Sequence, residues 1–396
     1  MLEIDQEFDP EFLEKLPYET PYFLFSHKRI IRKIDEFKEC FPGAEICYAM
    51  KANSEPEILT TIANQGTSFE VASKYELKML KDLKVPPQNI IYGTSVKPVD
   101  HIKDFFEYGV DRFAFDSLQE LEKIALAAPG SRVYVRTMAN DSRSVFKFSE
   151  KFGTDKENVV PLLRKAKELG LKPYGISFNI GSQSANPKAW ANAVKGLGGI
   201  LDDLKEAGIE IEALNMGGGY PCRYASSEDA PSLQEIAYYV YEQYQKLPCK
   251  PKLILEPGRG IIASSGILVT SVIARAEKKA LTWLFLDAGT YNALFEAMAY
   301  QGSTRYPIDI MKSDYEAKDG LFALAGPTGD SQDIITREAR LPKDVEIGDK
   351  LIVRHVGAYS VVVSSPFNGF PKPRIFYVSL KESASALKEE KLKAIA

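Results

Sequence analysis

Short apolar runs alternate with amphipathic stretches over the first two thirds of the chain. The apolar runs have the length of strands, and the stretches between them have helical spacing. The predicted strands are Glu45–Lys51, Ser68–Val71, Ile90–Gly93, Arg112–Phe115, Val133–Thr137, Gly175–Ile180, Ala213–Met216 and Lys252–Glu256. Predicted helices include Lys74–Leu83, Leu118–Ala128, Asn158–Leu169, Trp190–Ala207 and Leu233–Leu247. This rhythm predicts an α/β fold with a (β/α)8 barrel, and an open doubly wound sheet is the alternative.

The pattern changes after about residue 262, where β-rich segments separated by turns replace the alternation. Further strands are predicted at Tyr22–Phe25, Val269–Ala274, Thr282–Asp287, Leu321–Ala325, Lys350–His355 and Arg374–Val378. The sequence therefore predicts two domains. Residues 26–262 form the barrel, and residues 1–25 with 263–396 form a mostly-β domain. The Lys/Glu/Ala-rich tail from Glu382 is expected to be a solvated helix or a frayed end.

Composition narrows the classes of function. The chain has 396 residues, is 45% hydrophobic and carries a net charge of −4, so nothing favours nucleic acid or an anionic membrane as a partner. No segment approaches the roughly 20 apolar residues of a membrane span, and the acidic N-terminus does not resemble a signal peptide. The cysteines and histidines are scattered without metal-ligand spacing. We expect a cytoplasmic protein with reduced thiols and no metal.

Two predicted strands end in residues that suit an aldehyde cofactor. Lys51 follows an apolar run in YAMKAN, and a lysine amine at this place can form an imine with an aldehyde. Glu256 ends the run in LILEPGRG, and a carboxylate there can keep a pyridine nitrogen protonated. A surface lysine and a surface or N-cap acid are the alternative interpretations of these two residues.

Glycine, serine and arginine residues near other strand ends suit a phosphate. Glycines leave backbone amides free to approach an anion, and a guanidinium adds charge, although such segments also form ordinary turns. The candidate phosphate contacts are Ser182, Gly217, Gly218, Gly219, Gly258 and Arg259. Combined with an imine-forming lysine and a pyridine-binding acid, they predict a site for pyridoxal 5′-phosphate (PLP).

Functional residues of a barrel gather where its strands end. The predicted strands place Lys51, Glu70, Arg136, Asn179 and Glu256 around one mouth of the barrel.

The chain resembles the ornithine/lysine/diaminopimelate decarboxylase family of PLP enzymes, which have an alanine-racemase-like (fold type III) barrel. The likeness is greatest to the shorter bacterial ornithine/lysine decarboxylases. It rests on motifs that occur in the family's order over nearly the whole chain, namely YAMKAN, FEVASKYEL, KFG, GISFNIGSQ, MGGGYP, EPGR, LAGPTGDS, GAY and FNGFP.

The resemblance implies a decarboxylase of polyamine biosynthesis that acts on a basic L-amino acid. It implies that Lys51 is the imine lysine, that Glu256 pairs with the pyridine nitrogen, and that Arg136 approaches the oxygen side of the cofactor ring. Tyr359 would join the phosphate contacts named above. Glu70 and Glu76 would belong to the surroundings of the cofactor.

The same resemblance implies a head-to-tail homodimer with two shared active sites. Asp330 of one subunit would face the distal amine of the substrate bound in the other. Tyr300 and Phe367 would be further substrate contacts.

Four positions depart from the family pattern. Asn179 stands where a histidine usually stacks on the cofactor, and Gly329 stands where a cysteine usually helps to direct a proton to Cα after carbon dioxide leaves. Glu70 replaces an aspartate, and the segment around Tyr300 lacks the aspartate of some ornithine decarboxylases.

These departures leave three hypotheses. The first is decarboxylation of an ornithine- or lysine-like amino acid, or a derivative of one, by imine exchange at Lys51. The second is redirected chemistry at the same cofactor, namely decarboxylation-coupled transamination, oxidation or racemisation. The third is a non-catalytic homologue that regulates a true decarboxylase. The sequence does not identify the substrate.

Overall fold

The computed structural model describes residues 6–139, 144–146, 151–225, 229–278, 281–299, 305–312 and 319–378. These residues divide into two compact units. The barrel unit comprises residues 31–221 and 229–261, and the β unit comprises residues 1–30, 222–228 and 262–396. The segment 222–228 thus groups with the β unit, which the predicted domain bounds did not include. The predicted bounds of independently folding domains stay a prediction.

The barrel unit is a closed barrel of eight parallel strands, which confirms the predicted fold class and excludes the open sheet. Buried parallel strands are continuous apolar runs, and this is why the sequence located all eight. In order around the barrel they are Glu45–Ala49, Ser68–Val71, Ile90–Tyr92, Arg112–Phe115, Arg132–Thr137, Lys172–Phe178, Ala213–Asn215 and Lys252–Leu255. A separate antiparallel pair joins Ser144–Phe146 to Ser182–Ser184.

The helices of the barrel unit alternate with its strands along the chain. They are Pro56–Asn64, Lys74–Asp82, Val99–Tyr108, Leu118–Ala127, Val159–Glu168, Ala189–Lys195, Gly198–Glu206 and Leu233–Tyr244, with most of His27–Cys40 and Arg259–Ile262. One prediction was wrong, because Trp190–Ala207 is two helices rather than one. The break falls in a segment with glycine at positions 196, 198 and 199, and glycine is a poor helix former.

The inside of the barrel is a packed core. Inward-facing side chains from several strands form one buried cluster, composed of Cys47, Ile91, Ala114, Tyr134, Tyr174, Ala213 and Ile254. A filled interior leaves the strand ends and the loops after them as the places where a ligand can bind.

The β unit contains an eight-stranded sheet. Its strands are Tyr22–Ser26, Gly266–Lys278, Leu281–Leu286, Ile308–Ile310, Gly320–Ala325, Ile334–Leu341, Lys350–Arg354 and Arg374–Val378. Its short α-helices are Pro10–Glu14 and Phe295–Ala299. Tyr22–Ser26 pairs with Gly266–Lys278 and Arg374–Val378, which confirms that this N-terminal strand joins the sheet. The core of this unit packs Phe8, Leu13, Tyr22, Leu24, Ile267, Val269, Met311, Ile352, Phe376 and Val378 together.

Within the described part of the chain, no helix is both long enough and apolar enough to cross a membrane. The predicted helical or frayed tail from Glu382 lies outside the described residues.

Candidate active site

Lys51 lies just beyond a barrel strand. The strand ends at Ala49, and Lys51 sits in the single 3-10 turn Met50–Ala52. Its ammonium contacts the carboxylate of Glu70. The Lys51 side chain is 48% exposed and the Glu70 side chain only 4%. Lys51 is therefore open to a reactant and is at the same time paired with a buried acid.

The carboxylate of Glu70 has room because its neighbour is a glycine. A Cβ on Gly93 would lie 2.6 Å from Cγ and from Oε1 of Glu70. Any larger residue at position 93 would push the Glu70 side chain aside. The extra methylene that distinguishes Glu70 from an aspartate is thus accommodated at Gly93.

Glu76 has a local structural function. Ser73 caps the helix Lys74–Asp82 by accepting from the backbone N–H of Glu76 at 3.3 Å. Oε2 of Glu76 accepts from the backbone N–H of Ala72 at 2.7 Å, so the two side chains cap the same helix end. Burial raises the pKa of Glu76, and the charge of Glu70 adds to this while Lys51 opposes it.

Glu256 directly follows a barrel strand, and its carboxylate is fixed by Asn215. Nδ2 of Asn215 donates to Oε1 of Glu256 at 2.6 Å, and Oδ1 of Asn215 accepts from the Gly217 N–H at 2.9 Å. Burial, followed by the charge of Glu70, raises the pKa of Glu256 to about 7, while Lys51, Asn215 and Arg136 lower it. A cationic partner at this carboxylate would offset the cost of keeping it ionised.

The glycine loop after the strand Ala213–Asn215 is tightly enclosed. Gly217 and Gly219 have positive φ angles of 63° and 96°. A Cβ on Gly218 would lie 2.8 Å from the backbone oxygen of Glu256. Nε1 of Trp190 donates to the oxygen of Gly218 at 3.2 Å. Side chains are thus excluded along this loop, as a backbone anion site requires.

The other predicted phosphate contacts lie in the same unit. Arg259 begins the helix Arg259–Ile262 and is 4% exposed. A Cβ on Gly258 would lie 2.9 Å from Cβ of Ala52, so the turn before that helix packs against the turn that carries Lys51. Ser182 begins the short strand Ser182–Ser184.

Arg136 and Asn179 lie near the ends of two neighbouring strands. The guanidinium of Arg136 stacks over the ring of Phe152 at 5.0 Å. Burial lowers the pKa of Arg136, whereas Glu256, Asp116 and Glu70 raise it. Oδ1 of Asn179 accepts from the Gly181 N–H at 2.9 Å, so this amide stabilises the turn before Ser182.

The remaining predicted residues belong to the β unit. Gly329 and Asp330 lie in a turn after the strand Gly320–Ala325, and Phe367 lies in the 3-10 turn Phe367–Gly369. Tyr359 has a positive φ of 53°. Tyr300 lies outside the described residues.

The barrel-unit residues fit PLP in their chemistry. Lys51 offers an amine, a further cation beside the buried acid Glu256 would lower its raised pKa, and the glycine loop presents backbone rather than side chains. Asn215 was missed by the sequence reasoning. The sequence feature that could have indicated Asn215 is its place as a polar residue at the end of a buried strand, directly before MGGG.

Comparison with known proteins agrees with this chemistry. Residues 27–263 match the family described as pyridoxal-dependent decarboxylase, pyridoxal binding domain. The chain belongs to the pyridoxal-dependent decarboxylase family. Its cofactor is PLP, and its enzyme class is that of the PLP-dependent amino-acid decarboxylases.

Three similar proteins illustrate the family. The lysine/ornithine decarboxylase of Selenomonas ruminantium is 32% identical over 372 residues, which is 94% of this chain and 93% of that protein. Antizyme inhibitor 2 of Xenopus laevis is 30% identical over 373 residues, 90% of this chain and 80% of that protein. The solved structure of the enzyme called SrLDC, in complex with PLP and cadaverine, has a TM-score of 0.84 and 30% identity, covering 94% of this chain and 93% of that one.

Proposed function

We propose that this protein decarboxylates a basic L-amino acid of the ornithine or lysine kind, or a derivative of one. The observation that carries the proposal is the placement of Lys51, Glu256 and the glycine loop in one barrel unit. The name of the Selenomonas relative, lysine/ornithine decarboxylase, supports the substrate class.

The bound cofactor supplies an aldehyde that condenses with amines and a protonated ring that draws electrons from the carbon losing carbon dioxide. Lys51 provides the amine that holds the cofactor, and Glu70 stabilises the protonated form of that amine. Glu256 holds a proton on the ring nitrogen, with its carboxylate oriented by Asn215. Burial of Glu256 makes a cation at that place favourable.

The phosphate end is proposed to bind the backbone of the glycine loop, together with further residues. Arg259 would contribute charge, and the other contacts within the barrel unit would be Ser182 and Gly258. Arg136 would approach the oxygen side of the cofactor ring.

The test is carbon dioxide release by the PLP-loaded protein with ornithine, lysine, arginine, diaminopimelate and acyl derivatives. We expect sustained release from at least one of these and none from the Lys51→Arg variant, which keeps a cation beside Glu70. Absence of release from the whole panel would overturn the proposal.

We also propose that the active enzyme is a homodimer with shared sites, in which Asp330 of one subunit faces the substrate held by the other. Lys51→Arg and Asp330→Ala variants should each be inactive. Refolded as an equal mixture, they should recover about a quarter of wild-type activity, because half of the dimers then hold one intact site. A mixture no more active than its components would contradict sharing.

A second candidate is redirected chemistry at the same cofactor. Asn179 and Gly329, where the family usually has histidine and cysteine, favour it because neither residue can supply a titratable group. Mass spectrometry of products distinguishes the two. Free amine over many turnovers supports simple decarboxylation, whereas aldehyde, peroxide or D-amino acid supports this second candidate.

A third candidate is a non-catalytic regulator, favoured by the similarity to antizyme inhibitor 2. It predicts a protein that releases no carbon dioxide from any amino acid of the panel. Sustained release of carbon dioxide, lost in Lys51→Arg, would count against it.

A further inference from the structure

A cavity in the barrel unit lies on the outer face of the barrel wall. The last residues of two neighbouring strands pair there, Arg136 with Ser177 and Thr137 with Phe178. Successive side chains of a strand point to opposite faces, and Tyr134, two residues before Arg136, belongs to the core inside the barrel. Thr137 and Phe178 therefore face outward, and both line the cavity. It is thus separated from the candidate cofactor residues by the wall itself.

The cavity has the size of a small-molecule site. Its volume is about 560 Å³, and ligand pockets commonly measure about 300–1,000 Å³. Part of its wall is apolar, formed by Phe178, Ala189 and Leu197, each of which is at most 9% exposed. The apolar part of a ligand would be removed from water against these side chains.

Two ammonium groups give the cavity a positive charge. Lys156 and Lys188 line it, and none of its described lining residues is acidic. Nζ of Lys156 donates to the backbone oxygen of Gly196 at 3.3 Å. Nζ of Lys188 lies over the ring of Tyr239, 4.8 Å from the centroid. An ammonium has three donors, so these contacts orient each cation and leave it able to bind an anion.

A serine hydroxyl in the cavity wall adds a further donor. Ser184 lines the cavity and is 1% exposed, and its Oγ has no hydrogen-bond partner in the described part of the chain. Ser144, which pairs with it across the two short strands, instead donates its hydroxyl to the backbone oxygen of Ile180. A buried hydroxyl without a partner is costly, so an acceptor on a ligand would recover a hydrogen bond at Ser184.

We propose that this cavity binds a small organic carboxylate with an apolar body. The carboxylate pairs with Lys156 and Lys188 and accepts from the Ser184 hydroxyl. The apolar body lies against Phe178 and Leu197. The site uses none of the residues assigned to the cofactor, so the proposal stands whether or not the protein is a decarboxylase.

Ligand-observed NMR titration of the PLP-loaded protein tests the proposal. The probes are 3-phenylpropanoate, its uncharged amide, and acetate, which lacks the apolar body. The amide should bind about 10-fold more weakly than the acid, because hydrogen bonds between charged groups are lost. Acetate should also bind at least about 10-fold more weakly, because it buries little apolar surface. Equal affinity for the acid and the amide would overturn the proposal.

The absorbance of PLP, followed during the same titration, tests whether the two sites are separate. It should not change as 3-phenylpropanoate binds. Release of PLP would show that the carboxylate enters the cofactor site, and this would also overturn the proposal.

Lysine variants test the charged side of the cavity. Lys156→Gln and Lys188→Gln should each weaken 3-phenylpropanoate about 5-fold and leave the amide unchanged. Lys103→Gln is the matched control, because Lys103 is an exposed lysine of the same unit that does not line the cavity. Equal weakening in all three variants would indicate general attraction to the protein's positive charges and contradict the assignment.

Two further variants test the wall. Ala193→Phe fills the cavity from the helix Ala189–Lys195, and it should abolish binding of 3-phenylpropanoate while PLP is still taken up. Binding that persists in the folded variant would place the probe elsewhere. Ser184→Ala should weaken the acid and melt at or above the temperature of the wild type, because it removes a costly buried hydroxyl. A lower melting temperature with unchanged binding would show that the hydroxyl serves the fold and not a ligand.

Discussion

Asn215 links the two parts of the candidate cofactor site, because its amide donates to Glu256 Oε1 at 2.6 Å and accepts from the Gly217 N–H at 2.9 Å. One side chain thereby fixes the orientation of the acid and the start of the glycine loop. The ring end and the phosphate end of the cofactor would then be placed relative to each other by a residue that need not touch the cofactor.

We expect Asn215→Ala to weaken PLP binding by about 10-fold or more, because a hydrogen bond to a charged group contributes about 1.5–3 kcal/mol. The measurement is the dissociation constant of PLP by absorbance titration. Asn158→Ala is the matched control, since it removes an amide bonded to Thr154 Oγ1 at 3.2 Å elsewhere in the barrel unit. Equal affinity in the wild type and Asn215→Ala would show that Asn215 does not organise the site.

The raised pKa of Glu256 predicts how the stability of the cofactor-free protein depends on pH. Burial raises this pKa to about 7, above its ordinary value of 4.5. Between these values the folded state holds a proton that the unfolded state has released, so stability falls as pH rises. The loss is at most about 3.4 kcal/mol, at 1.36 kcal/mol per pH unit.

Thermal unfolding of the cofactor-free protein at pH 5 and pH 8 measures this effect. From pH 5 to pH 8, the melting temperature of Glu256→Gln should fall less than that of the wild type. Adding PLP should reduce the loss in the wild type, because a ring cation stabilises the ionised carboxylate. Parallel pH profiles for wild type and Glu256→Gln would contradict the prediction.

The barrel was predictable from sequence because its strands are buried on both faces and consist mostly of apolar residues. Two strands of the β unit were not predicted. Ile334–Leu341 contains the polar run Thr-Arg-Glu and is only partly buried, and Ile308–Ile310 has just three residues. These two strands form because they pair with strands that are distant in the sequence, and not because of their own composition.

The candidate site divides in a similar way. Lys51, Glu256 and the glycine loop are marked by their places after apolar runs. Asn215 acts through hydrogen bonds that exist only after two strands pair. No local pattern contains such contacts, so this residue required the structure.

Mutations of Lys97 and Lys51 should have opposite effects. Loss of Lys97 should lower stability and keep the covalently held PLP, whereas loss of Lys51 should keep stability and remove it. Lys97 is fully buried, with Nζ 2.9 Å from Glu120 Oε1 and 2.9 Å from the Thr94 oxygen. Burial lowers the pKa of Lys97 to about 8, and Glu120 opposes this. Lys97→Ala leaves Glu120 with less compensating charge, and we expect a loss of about 3–5 kcal/mol in unfolding free energy.

The Lys51→Arg variant should show the opposite behaviour. Its unfolding free energy should stay within about 1 kcal/mol of wild type, because an exposed cation remains beside Glu70. It should nevertheless lose the covalently held PLP, which the folded Lys97→Ala protein should keep. Urea unfolding and absorbance after borohydride reduction measure the two properties. Covalent PLP in Lys51→Arg would show that another lysine holds the cofactor.

Position 329 can accept a cysteine without disturbing the fold. A Cβ there would meet no heavy atom within 4 Å, so Gly329→Cys should change stability by no more than about 0.5 kcal/mol. If the glycine loosens control of the final proton, the cysteine should raise the ratio of amine to aldehyde among the products. Gly329→Ser is the matched control, because it fills the same space with a far weaker acid.

Unlike Gly329→Cys, Asn179→His should lower the stability of the protein. Asn179 Oδ1 accepts from Gly181 N–H at 2.9 Å, and an imidazole keeps this turn contact only when its Nδ1 is unprotonated. We expect a loss of about 1 kcal/mol and weaker PLP binding, since the turn precedes Ser182. Comparing product ratios in Gly329→Cys, Asn179→His and the double variant separates the two substitutions. An unchanged amine-to-aldehyde ratio in all three would mean that neither residue directs the proton.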